Sequence, residues 1–363
     1  MKIAHLELGR HAYGGAEQVR YVLEGLHEDH HEHLLITPAG SDLAQWAEAA
    51  GQPVCAVRFA GEHDIAFAWR LRGLLRKRNV DLLHVHSRRG ADWLGPVAAA
   101  LAGIPVILSR RIDNPPDRWL RMLMRRRYAR IICISEAIAG VLLQSGVPAD
   151  ALLTINSSVD AVAYAPPARA DIGTCLTGKP FPGPVIAVIA QLIERKGHRY
   201  LIDALPSLLS KFPNLTVVFL GRGALQAQLK QAVADAGLQR HVIFAGFRAD
   251  LAEFLPSVRL VVHPALMEGL GVSLLEAAAA EVPVVGFAAG GVEQAVAHEH
   301  TGLLVAPGDK VALAAAISRL LDDADLHRQM GQNARQRVLA EFSVAVMVQR
   351  HAALYDVLAG EIE

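Results

Sequence analysis

The sequence predicts an α/β chain built from two doubly wound, Rossmann-like domains. Three observations carry this reading. A length of 363 residues is too great for one ordinary core and suits two at roughly 150 residues each. Short runs of Val, Ile and Leu alternate with helical patterns, which marks βαβ units and a parallel sheet covered on both faces. That rhythm stops at a Pro-, Gly- and Ala-rich stretch, "YAPPARADIGTCLTGKPFPGP", and then begins again.

Taken in order, "KIAHLEL", "HEHLLIT", "VDLLHVH", "IPVILS" and "RIICIS" are the strands of the first half, and "PVIAVIA", "LTVVFLG", "HVIFAGF", "RLVVHPA", "VPVVGF" and "GLLVAP" those of the second. The boundary is placed at Pro166, giving domains over 1–165 and 166–342. The final "EFSVAVMVQRHAALYDVLAGEIE" has an amphipathic helical pattern with no strand after it, so 343–363 is predicted to close the fold against the first domain. Ligands of such sheets sit beyond the carboxyl ends of the strands, and the two domains are expected to face each other across a cleft that holds the site.

Lysine plus arginine equals aspartate plus glutamate, so no global charge pulls the chain toward nucleic acid, and an anionic partner must be met by a local patch. The three cysteines, Cys55, Cys133 and Cys175, are too scattered for a disulfide framework or a metal site, which fits a reducing cytoplasm. The start, "MKIAHLELGR", lacks a signal-peptide core. The longest apolar run, "LGPVAAALAGIPVIL", is broken by Gly and Pro and falls short of the ~18 residues that span a bilayer. The expectation is a cytoplasmic protein, at most peripheral on a membrane.

The chemistry concentrates in "HPALMEGLGVSLLEAAAAEVPVV". A buried strand gives way to a glycine-bearing loop and then to a helix of strong formers that begins near Gly271. Free amides and partial positive charge at a helix start, with Gly269 and Gly271 letting a ligand approach the backbone, make an anion site. Glu268 and Glu276 flank it as acceptors for hydroxyls, and hydroxyls on both sides of a phosphate describe a nucleotide-sugar. Read alone, Glu268 as a helix cap and Glu276 as a solvated residue would also account for the pair. Three further stretches favour the ligand: "ERKG", with Arg195, Lys196 and Gly197 after a strand, where a lysine can neutralise a departing diphosphate; "AYGGAEQ", with Gly14 and Gly15 opening a helix after the first strand; and "AAGGVEQ", a Gly-Gly turn with Glu293 behind it.

Together these residues resemble glycosyltransferase family 4, retaining enzymes of the GT-B fold, along nearly the whole chain: "GGAE", "DLLHVHS", "RKG", "FAGF", the glutamate pair with seven residues between, "GGVEQAV" and "TGLLVAPGD". The resemblance implies that Glu276 holds the ribose hydroxyls, that Glu268 contacts the transferred sugar, and that the Leu270 and Gly271 amides with Lys196 hold the diphosphate. Phe247 or Arg248 would meet the base, largely through backbone. Gly15 belongs to the donor side and Gly14 to the acceptor side. Two departures stand out. The family's Gly-Arg pair is replaced by Ala190 and Gln191, with Arg195 as the substitute arginine, and its histidine after "IPVILS" is replaced by Ser109, Arg110 and Arg111. His86 then becomes the catalytic histidine candidate. It shares a strand face with His84, and by pattern alone either reads equally well as a satisfied core histidine.

The predicted function is a retaining, metal-independent transfer from a UDP- or GDP-linked sugar, with no cofactor, to a hydroxyl acceptor, as in bacterial lipopolysaccharide or other cell-surface glycan synthesis. A GT-B-type nucleotide-sugar epimerase and a non-catalytic nucleotide-sugar-binding protein would use the same grip. A dehydrogenase is disfavoured: Gly221 and Gly223 make a partial dinucleotide fingerprint, but Gln226 stands at its third glycine. Asp323 and Asp325 have metal-binding Asp-x-Asp spacing but follow a helical run and read as a helix cap. Arg110 and Arg111, beyond the end of "IPVIL", need an anion. Asp113 or Asp117 can supply it, or an acceptor bearing phosphate or carboxylate, such as a lipopolysaccharide core or a lipid-linked phosphate. Finally, "RWLRMLMRRRYARI" over 118–130 interleaves six arginines with Trp119, Met122 and other apolar residues. It reads either as a peripheral contact with the inner membrane or as a helix packed on the sheet.

Overall fold

The structure, a computed structural model, describes residues 1–11, 14–27, 30–88 and 90–362. It divides into two compact units, Met1–Ser157 with Val344–Glu363, and Ser158–Ser343. Both are α/β units of the Rossmann kind.

The first runs β1 (Lys2–Leu6), α1 (Gly14–Gly25), β2 (Glu32–Pro38), α2 (Asp42–Ala49), β3 (Val54–Val57), α3 (Ile65–Lys77), β4 (Leu82–Val85), α4 (Ala91–Ala102), β5 (Val106–Arg110), α5 (Arg118–Arg126), β6 (Arg130–Cys133), α6 (Glu136–Gln144) and β7 (Leu152–Thr154). Its seven strands are all parallel in the order β3-β2-β1-β4-β5-β6-β7. The connections change direction between β1 and β4, the point at which loops splay apart and doubly wound sheets hold their ligands.

The second unit continues with α7 (Ile172–Thr177), β8 (Val185–Ile189), α8 (His198–Lys211), β9 (Thr216–Leu220), α9 (Gln226–Asp235), β10 (Val242–Gly246), α10 (Leu251–Phe254), β11 (Leu260–His263), α11 (Val272–Ala279), β12 (Val284–Phe287), α12 (Val292–Ala295), β13 (Gly302–Val305), α13 (Lys310–Asp322) and α14 (Ala324–Arg337). Here the parallel order is β10-β9-β8-β11-β12-β13, with the switch between β8 and β11. The core is one apolar cluster from Ile186 through Phe219 and Val262 to Ile317.

The chain passes into the second unit after Ser157, ahead of the Pro166 boundary read from composition, because Val159 is buried there and its amide donates to Phe342 O at 3.0 Å. The last helix, α15 (Val344–Ile362), belongs to the first unit: its Met347, Leu354, Tyr355 and Leu358 share a cluster with Ile3, Val22, Leu82 and Ile107. It crosses α1 at Gly25, where a Cβ would stand 2.4 Å from Val348, so only glycine permits that approach.

Several local expectations meet their physical cause. Asp323 caps α14 by accepting from the Asp325 and Leu326 amides, which explains the Asp-x-Asp spacing. Gly221 and Gly223 abut Ala190 O and Leu192 O, where a Cβ would lie 2.0 and 2.3 Å away, so tight packing of neighbouring loops accounts for the partial fingerprint. No described helix is long and apolar enough to cross a membrane. The basic stretch is not one helix: α5 ends at Arg126, and Arg130 opens β6, where it pairs with Glu361 at 2.6 Å.

Candidate active site

In the second unit the functional side chains gather where β8 and β11 end. After β8 the chain makes a single turn over Glu194–Lys196 and reaches Gly197 at φ +67°, a conformation that suits glycine. A Cβ on Gly197 would sit 1.8 Å from Pro264 O, so the missing side chain lets this turn lie directly on the loop that leaves β11. Leu266 N donates to Arg195 O at 2.8 Å and fastens the two loops. The consequence is a buried ion pair between Lys196 Nζ and Glu268 Oε2, their side chains 11% and 12% exposed.

A third residue completes the group. His263, the last of β11, places Nε2 2.9 Å from the same Glu268 oxygen, while Glu268 Oε1 accepts from the Gly269 amide at 3.1 Å. Burial works against ionisation of Glu268, but the hydrogen bond from His263 and the charges of Lys196 and His263 outweigh it and hold the carboxyl at about 2. Glu268 is thus a fixed carboxylate. Its loop is braced from behind by the Gly-Gly turn: Gly291 N donates to Glu268 O at 2.9 Å, and a Cβ on Gly290 or Gly291 would meet Glu268 O or Gly269 O at 2.6 or 2.0 Å. This turn, read from sequence as part of the ligand site, therefore has a packing reason to be glycine.

Gly271, at φ +85°, starts α11 and has no side chain with which to cap it, so among the described residues no cap residue takes up the first amides of the helix. Leu270 is buried, and Glu276 lies half-buried on the second turn of the same helix. Arg195, the candidate to stand in for the family arginine, is exposed. Beyond β10, Phe247 is 55% exposed, whereas Arg248 is held by Asp250, with Nε 2.7 Å from Oδ1 and the guanidinium over the Phe254 ring. That engagement leaves backbone as the natural contact of this segment.

In the first unit, Gly15, His86, Arg110 and Arg111 come together around a cavity of about 250 Å³, with Glu7, Gly9, Arg88 and Asp92 also in its wall. Gly14 opens α1 at the surface beside it. Arg110 is the last residue of β5, not beyond it, and is 3% exposed. Burial and the charge of Arg88 lower its pKa, Asp92 more than Asp113 opposes that, and one of its amines donates to Asn114 O at 2.6 Å. Arg111 is brought down to about 10 by burial, with Glu7 opposing. Asp117, a candidate partner by sequence, instead caps α5 by accepting from Leu120 N at 2.8 Å. Both arginines keep a buried Nε without a hydrogen-bond partner among the described residues.

The two histidines of β4 and its end separate in role. His84 uses both ring nitrogens, 2.7 Å from Tyr355 Oη and 2.9 Å from Ser109 Oγ, and is a satisfied core histidine. His86 has Nε2 3.0 Å from His5 Nδ1 while its buried Nδ1 has no partner among the described residues. Burial, then the neighbouring histidines and Arg111, hold His86 well below the usual imidazole range, so its ring is neutral in the folded protein.

Two parallel-sheet units with polar groups at each switch point have the fold of the GT-B class. Residues 13–162 match the model of Glycosyltransferase Family 4 and residues 177–337 that of Glycosyl transferases group 1. The 2-deoxystreptamine glucosyltransferase of Streptomyces kanamyceticus is 31% identical over 69% of this chain and 70% of its own. The lipopolysaccharide core biosynthesis glycosyltransferase LpsD of Rhizobium meliloti is 27% identical over 98% of both. HepE from Anabaena, solved in complex with UDP-glucose, superposes with a TM-score of 0.85 at 23% identity, covering 98% of this chain and 100% of that one. The chain belongs to glycosyltransferase family 4.

Proposed function

We propose that the protein moves a sugar, with retention at the anomeric carbon and without a metal ion, from a UDP- or GDP-linked donor to a hydroxyl acceptor. The observation that carries this reading is Lys196 and Glu268 set side by side next to the uncapped start of α11. A donor diphosphate laid on the Leu270 and Gly271 amides would draw Lys196 toward it, and the same cation would then stabilise the charge that builds as the sugar departs. Lysine and helix start together supply the positive charge that other transferases take from a metal. Glu276 would accept from the ribose and Glu268 from the sugar, while Phe247 and Arg248 offer backbone to the base. Retention rests on the family likeness. The experiment is incubation with labelled UDP- and GDP-sugars, with and without EDTA, followed by NMR of the product anomer. Transfer that is EDTA-insensitive and gives the donor's own anomer supports the proposal. An isomerised donor would make the protein an epimerase, and binding without turnover a carrier.

For the acceptor side, the two orphaned arginine Nε atoms beside a cavity that also holds His86 suit an acceptor carrying phosphate or carboxylate. LpsD, a relative along its full length, acts in lipopolysaccharide core biosynthesis, which fits that chemistry. Arg111→Ala should then raise the acceptor KM strongly and leave slow donor hydrolysis intact. A fall of both together, or of the thermal midpoint alone, would make the arginine structural. Such an acceptor is often membrane-borne. On α5, Trp119 is 56% exposed beside Arg118, Arg121, Arg125 and Arg126, in the wall of a groove of about 550 Å³, a surface suited to anionic lipid. Sedimentation with anionic vesicles tests this, and a lack of salt-sensitive binding would refute it.

A further inference from the structure

Residues 27–33, "HEDHHEH", hold four histidines and three acids in seven positions, and the transfer reaction uses none of them. Most of the described ones are engaged elsewhere. His27 faces Gln52, Glu32 pairs with Lys2 Nζ at 2.9 Å, and His33 turns inward to His5 at 3.0 Å. His30 and His31 instead converge on one carboxylate oxygen of α15: Asp356 Oδ1 lies 2.9 Å from His30 Nε2 and 3.2 Å from His31 Nε2.

We infer that His30, His31 and Asp356 form a divalent transition-metal site that joins the segment after α1 to the C-terminal helix. Two imidazoles and a carboxylate are a ligand set for Zn²⁺ and its neighbours. Ligand atoms around a tetrahedral ion with bonds of about 2.0–2.1 Å stand about 3.3 Å apart, close to the spacing already present here. His31 gives the second, independent observation. Its side chain is 2% exposed, yet among the described residues neither ring nitrogen has a hydrogen-bond partner, although Nε2 is within reach of the carboxylate. A buried imidazole without a hydrogen bond is costly. A ligating nitrogen points at the ion, about 35° away from a neighbouring ligand atom by the same geometry, so an imidazole poorly aligned on the carboxylate suits an ion lying between them. His30 and Asp356 are 68% and 53% exposed on their side chains, which leaves room for water to complete the shell. A second grouping, His5, His84 and His86, is less suited, because both nitrogens of His5 and of His84 are already hydrogen-bonded.

The test uses the full chain without a histidine tag, stripped with EDTA and titrated with Zn²⁺ by calorimetry and with Co²⁺ by visible absorption. One equivalent should bind, with the intense bands of tetrahedral Co²⁺, and Zn²⁺ should raise the thermal midpoint. Asp356→Asn and His30→Asn, both at exposed positions that leave the fold intact by circular dichroism, should each weaken binding by about tenfold or more and abolish the thermal shift. His31→Asn should do the same where it folds. No saturable binding, or unchanged affinity in Asp356→Asn and His30→Asn, would overturn the site. Loss of binding in His86→Asn alone would place the ion at the buried trio and overturn it equally.

Discussion

Replacing Lys196 by Met removes the cation that Glu268 meets and keeps most of the apolar stem in place. In the folded protein Glu268 titrates at about 2 against an ordinary 4.5, in spite of its burial, because His263 and Lys196 favour the charged form. At about 1.4 kcal/mol per pH unit, that difference is worth about 3 kcal/mol of stability at neutral pH, divided between the two partners. The carboxyl titrates lower in the folded than in the unfolded chain. Its contribution is therefore complete above about pH 4.5 and is lost as the pH falls toward 2. Lys196→Met should then cost about 1–2 kcal/mol near neutrality and progressively less in acid. The double variant Lys196→Met, Glu268→Gln should regain part of the loss, since no charge is left half-partnered in a buried loop. Urea unfolding of the parent, the Lys196→Met and Glu268→Gln single variants and the double variant at several pH values measures this directly. A Lys196→Met protein as stable as the parent, or a double variant less stable than the single, would refute the coupling.

Gly197→Ala should lower the thermal midpoint and abolish donor hydrolysis together, because its Cβ has a φ of +67° and a carbonyl 1.8 Å away to contend with; an unchanged midpoint would show that the two loops can part cheaply. Tyr355→Phe should cost about 1–3 kcal/mol in urea by leaving the fully buried His84 Nδ1 without its partner. Glu276→Gln should weaken donor binding by calorimetry with the fold intact, and equal affinity would remove the ribose role. Finally, burial keeps His5, His84, His86 and His351 neutral in the folded state, His351 down to about 4, whereas the unfolded chain protonates each near 6.5. The unfolded state binds more protons in that window, so stability should fall steeply as pH drops from about 6.5 toward 4, by several protons per molecule. A flat profile there would contradict the burial of this cluster.

What could be read from the chain alone follows from burial. Strands inside the sheets are unbroken apolar runs and announce themselves. β3 and β7 do not, because they lie at the two sheet edges, are only three or four residues long, and are only partly buried. The glutamate pair was legible through its glycines, but His263 was not assigned a role. Its signal was its place as the last residue of a buried strand, five positions before Glu268, and only the folded loop brings the ring back onto that carboxylate. Arg110 and Arg111 were legible as a problem but not in their solution, since their carboxylates come from Asp92 and Glu7, distant in sequence and joined only by the sheet order. His84 and His86 look alike in sequence, and their difference lies in the tyrosine that α15 delivers to one of them.

That delivery has a consequence for how the gene can be cut. The chain leaves the first unit at Ser157 and comes home at Val344, and the two passages run side by side where Val159 bridges to Ser343. The second unit is therefore a guest inserted into the first. It is one uninterrupted stretch of chain, 158–343, whereas no stop codon yields the host, because truncation after Ser157 strips out Met347, Leu354, Tyr355 and Leu358 and opens the apolar cluster around Ile3. Recovering the host alone requires splicing residue 157 to residue 344 through a short flexible bridge, and the adjacency of the two passages makes that splice short.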